Sequence, residues 1–93
     1  PMPSNAEMAQ VILTGAGAKP YHKSEKTTFA GGPAEAFYSD LTIEGGPVVN
    51  IKVVVRKHGE RSIAVGVTMI PEASTPAQRQ KVDTQFAVVR IVG

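Results

Sequence analysis

The chain has 93 residues, no cysteine and a formal net charge of +2. That length suits one domain, 1–93, with a modest core, and makes association with further copies a natural way to complete it. Lack of cysteine excludes disulfides, thiolate nucleophiles and zinc–thiolate centres. No apolar run approaches the roughly 20 residues of a membrane helix, and no basic-then-apolar leader opens the chain.

Ser4-Asn5-Ala6-Glu7 carries a weak capping-box pattern. Residues 10–14, rich in Val, Ile and Leu, are expected to form a first strand, and residues 26–30 a weaker second one. Residues 36–44 alternate: Phe37, Ser39, Leu41 and Ile43 share one face, and Tyr38, Asp40, Thr42 and Glu44 the other. Residues 48–56 alternate too, with Val49, Ile51, Val53 and Val55 opposed to Asn50, Lys52, Val54 and Arg56. Residues 61–70 set Ile63, Val65, Val67 and Met69 against Ser62, Ala64, Gly66 and Thr68. The last two segments read as a hairpin. A two-residue His58-Gly59 turn would place Val55 opposite Ser62 and mix the faces. A three-residue loop, 57–59, is expected instead. It pairs Arg56 with Glu60, Val53 with Ile63 and Ile51 with Val65, and sets Gly59 at a left-handed position. Thr75-Pro76-Ala77-Gln78 is a second capping box with proline at the first helical position, predicting a helical turn that ends near Lys81. Residues 82–92 then read as a long terminal strand.

Gly-Pro punctuation cuts the chain into short pieces, as in an antiparallel sheet. The expected fold is mainly β: a single antiparallel sheet of about five to six strands with short helical turns. Its apolar face needs a second layer, and two short helical signals do not supply one. A partner subunit is therefore expected to cover that face.

Catalytic signatures are missing from the sequence. Gly15-Ala16-Gly17 follows an apolar run, but Pro20 stands where a dinucleotide fingerprint needs its third glycine, and no helix pattern follows. His22 and His58 sit among lysines with no partner at metal-ligand spacing. The reading is a non-enzyme with no catalytic residues, metal site, cofactor or small-molecule substrate.

The polar face has the more informative chemistry. Parity gathers Asn50, Lys52, Val54 and Arg56 beside Ser62, Ala64 and Gly66, and a terminal strand would add Lys81, Asp83 and Gln85. Small central side chains let a ligand backbone approach. Lys52, Arg56 and Lys81 supply positive charge, and Asn50 and Gln85 supply amides able to read base edges. Single-stranded RNA is met on such open sheets. Tyr38 is the one aromatic assigned to an outer face, so stacking platforms are few. An ordinary solvated face is the competing reading.

The order of elements resembles the coat proteins of single-stranded RNA bacteriophages of the levivirus type. The similar segments are Gln10-Val11-Ile12-Leu13-Thr14, Gly32-Pro33-Ala34-Glu35-Ala36-Phe37, the hairpin from Ile51-Lys52-Val53-Val54-Val55-Arg56-Lys57 through Ser62 to Pro71, and Arg79-Gln80-Lys81-Val82-Asp83-Thr84-Gln85-Phe86. The resemblance implies a capsid subunit: a homodimer building a shell, RNA on the inner face, and location in the virion and, during assembly, the host cytoplasm. The family's RNA-contacting positions would fall on the ten polar-face residues named above. Two departures stand out. The family's C-terminal helices have no counterpart before Gly93, and Lys81 lies near the place of its stacking tyrosine. Two alternatives remain: a phage decoration or tail-assembly β module without RNA, and a small single-stranded nucleic-acid-binding protein that builds no shell.

Overall fold

The first ordered element is a helix, where a strand was expected. The computed structural model describes residues 3–58, 62–83 and 87–92. In it α1 spans Asn5–Gly15. Ser4 caps it reciprocally: its Oγ accepts from the Glu7 N–H at 3.1 Å, and Glu7 Oε1 accepts from the Ser4 N–H at 3.4 Å. Ala6, Ala9 and Leu13 recur at helical spacing and face the core with Met8 and Ile12. This capped stripe outweighs the β propensity of residues 10–14, because that propensity is mostly a measure of packing context. The helix stops at a Schellman-type turn. The Ala18 N–H reaches the Leu13 carbonyl at 2.9 Å, the Gly17 N–H reaches that of Thr14 at 3.1 Å, and Gly17 takes the left-handed φ of 79°.

A strap then returns along the sheet, its Lys19 and His22 N–H groups donating to the carbonyls of Asp40 and Tyr38. Among the described residues five strands follow: β1 (Lys23–Phe29), β2 (Gly32–Thr42), β3 (Val48–His58), β4 (Ser62–Pro71) and, after α2 (Pro76–Asp83), β5 (Ala87–Val92). They form one antiparallel sheet in chain order. The fold is thus mainly β with short helices, as the alternating segments imply. Ala30 and Gly31 link β1 to β2, both at positive φ (52° and 86°), the type I′ pattern that suits the twist of paired strands.

The faces of β2, β3 and β4 follow parity. Phe37, Ile51, Val53, Val55, Ile63 and Val65 are buried on one side. The hairpin register differs from the expected one: Val55 pairs with Val65, Val53 with Val67, Ile51 with Met69, and His58 with Ser62. Parity allows both registers, since each keeps like faces together. The observed one sets Val55 against a buried valine, whereas the expected one would set it against Arg61. Residues 59–61, the expected site of the Glu60 pairing, lie outside the described residues.

The expectation of an apolar face that only a partner covers is also corrected. The chain's own α1 lies against β2 and β3, and Ala9 and Leu13 are fully buried in the same cluster as the strand residues. Burying Leu13 contributes about 2 kcal/mol of transfer free energy. Met69, on the same face of β4, is 49% exposed and lies beyond this cover.

A further correction concerns the C-terminal part. The Thr75 box forms as read: the Thr75 N–H donates to Gln78 Oε1 at 2.8 Å, and Thr75 Oγ1 accepts from the Gln78 N–H at 3.2 Å. The helix it starts runs through Asp83, so residues 82 and 83 belong to α2 and not to a strand. The final strand begins at Ala87.

Candidate nucleic-acid interface

The face opposite α1 is built in rows, because directly paired residues in an antiparallel sheet stand side by side. One row runs Lys23, Tyr38, Lys52, Thr68 across β1 to β4. The next runs Glu25, Ala36, Val54, Gly66. A third, toward α2, holds Asp40, Asn50 and Ile70. Ala36 and Val54 are buried with Ala34, and Phe29 and Tyr38 pack beside them. The middle of this face is therefore a close-packed floor of small residues.

Tyr38 stands between two ammonium groups. Lys23 Nζ is 5.2 Å and Lys52 Nζ 5.8 Å from its ring centroid, within cation–π range. Its hydroxyl donates to Glu25 Oε1, and Glu25 Oε2 lies 4.0 Å from Lys23 Nζ. The tyrosine hydrogen bond holds the Glu25 carboxyl below its ordinary value of 4.5; desolvation opposes this, and Lys23 and Lys52 reinforce it.

Beside the row, a shallow concavity of about 160 Å³ is lined in part by Tyr38, Asn50, Lys52, Thr68 and Arg79. An adjoining one of about 380 Å³ shares Tyr38, Asn50 and Arg79 and adds His22, Lys23, Asp40 and Glu72. A polar chain runs through them. His22 Nε2 is 3.7 Å from Asp40 Oδ2, Asn50 Nδ2 donates to Asp40 Oδ1 at 2.8 Å, and Arg79 Nη2 donates to Asn50 Oδ1 at 3.0 Å. Arg79 Nη2 also reaches the Glu72 carbonyl at 2.6 Å, which ties α2 to the end of β4.

The expected RNA-contacting residues divide under this geometry. Asn50, Lys52, Val54, Arg56, Ala64 and Gly66 do share one face, and Ser62 occupies a register position on it. Lys81 and Asp83 do not join it as strand residues, since α2 carries them, and Gln85 lies outside the described residues. Asn50 and Arg56 are committed within the protein. The Asn50 amide bonds Asp40 and Arg79 at its two ends, so it is a strut more than a reader of base edges. Arg56 Nη1 donates to the Ala30 carbonyl, and the guanidinium lies so close to Gly32 that a Cβ there would collide with it. Arg56 thus clasps the β1–β2 turn.

Lys23, Glu25 and Arg79 belong to the site but were not expected there. Lys23 and Glu25 fall before residue 26, where the second strand was expected to begin. Arg79 was read in a helical turn and at the head of a segment resembling the coat family, with no signal that the turn folds back toward Asn50.

Compared with protein-family models, curated proteins and solved structures, the chain matches none.

Proposed function

We propose that this chain is a non-catalytic structural protein that holds single-stranded RNA on its open sheet face, in the manner of a coat subunit. The observation that carries this reading is the row Lys23–Tyr38–Lys52, an aromatic ring between two ammonium groups. Beside it lies the small-residue floor of Ala36 and Val54. Aromatic surface offers any base a stacking partner, and flanking cations meet phosphates without regard to sequence. The same geometry favours sequence-tolerant binding over base reading, because the Asn50 amide is engaged.

Self-association is the second half of the proposal. Since α1 covers much of the apolar face, association runs through the strand edges and the surface around Met69. The test is sedimentation of the purified protein with its 260/280 absorbance ratio. Large particles carrying RNA support the whole reading. Small RNA-binding species retain the RNA half alone, and particles free of RNA favour a decoration or assembly module.

A further inference from the structure

The open face carries its own anion at the place where its cations gather. Glu25 lies diagonally next to Tyr38 and on the same face as Lys23 and Lys52. Its two carboxylate oxygens reach different partners, Oε1 the Tyr38 hydroxyl and Oε2 the Lys23 ammonium. An oxygen anion held by a phenol and an ammonium is chemically close to a phosphate held by the same groups. Its side chain is 46% exposed, so it can swing away into solvent.

We propose that Glu25 is a built-in competitor for phosphate: it occupies the Lys23–Tyr38–Lys52 row in the free protein and is displaced when an RNA backbone binds. This inference rests on the RNA reading of the face. Tyr38 acts as a positioning residue, since its hydroxyl holds the carboxylate over the row. The device weakens binding to any single phosphate and leaves the face to be filled only where several phosphates bind together. The carboxyl, lowered by the Tyr38 hydrogen bond and further by Lys23 and Lys52, is charged at neutral pH.

The test is binding of a fluorescent single-stranded oligouridylate at low salt by the full chain and its variants. Glu25→Gln keeps size and polarity and removes the charge, and it tightens binding about fivefold, the weight of one close surface charge. Glu44→Gln, in the β2–β3 turn, removes the same charge elsewhere and changes affinity less than about twofold. In a Tyr38→Phe background the Glu25→Gln gain shrinks, because the carboxylate is no longer held in place. Equal gains from Glu25→Gln and Glu44→Gln, or no gain from Glu25→Gln with normal wild-type binding, overturn the competitor alone. No binding by wild type or any variant overturns the RNA reading and the competitor with it.

Discussion

The two faces of the sheet bury side chains to opposite ends. On the α1 side, Leu13, Phe37, Val53 and Val55 interlock into a cluster that excludes water and orders the fold. On the open side, buried residues are small, Ala34, Ala36 and Val54, and polar side chains pair with one another above and beside them. The first face is a core. The second is a floor of small residues packed within the chain itself. Substitutions should therefore damage stability on one side and binding on the other.

The largest effect is expected from Val53→Asp, which places an unpaired charge at a fully buried position. Such a change belongs to the severe class of mutations and should abolish the folded state in circular dichroism. Leu13→Ala should cost about 2–5 kcal/mol in urea unfolding, as large-to-small changes in cores do. A loss near zero would mean that α1 does not seal the apolar face.

Gly32→Ala sharpens the comparison from the open side. The new Cβ would displace the Arg56 guanidinium from the Ala30 carbonyl, at a cost of about 1 kcal/mol, the worth of one hydrogen bond. In an Arg56→Ala background the same substitution should cost less, which a double-mutant cycle reads directly. The smallest effect concerns acid. The folded-state pKa of Glu25 is lowered, so its contribution to stability is present above its ordinary value of 4.5 and is lost as pH falls. Melts from neutral to acid pH should show wild type losing slightly more stability than Glu25→Gln.

Strict alternation made β2, β3 and β4 legible, because period-two patterning over eight or more residues has one easy solution. It also sorted Lys52 and Val54 correctly from Ile51 and Val53. Parity could not choose among registers that keep like faces together, so the pairing of Val55 with Val65 needed the whole core. Residues 10–14 misled because Val11, Ile12 and Leu13 suit a strand as well as a helix. The deciding signal was the Ser4–Glu7 box, read as weak and confirmed as reciprocal. Lys81 and Asp83 are placed differently for a related reason: the alternating pattern from residue 82 starts inside a helix that Thr75 and Gln78 begin. Arg56 and Asn50 were placed on the right face, but their engagement with Ala30, Asp40 and Arg79 depends on contacts between distant segments that spacing does not encode.

The central claim is that the Lys23–Tyr38–Lys52 row meets phosphates, and a salt titration tests it most directly. Binding of unstructured single-stranded RNA by the full chain should weaken steadily as salt rises. Lys52→Ala should leave the melting curve nearly unchanged while reducing the slope of log affinity against log salt by about 0.7, the share of one phosphate contact. A wild-type protein that binds no RNA at low salt, or a Lys52→Ala variant with unaltered affinity and slope, would contradict the account.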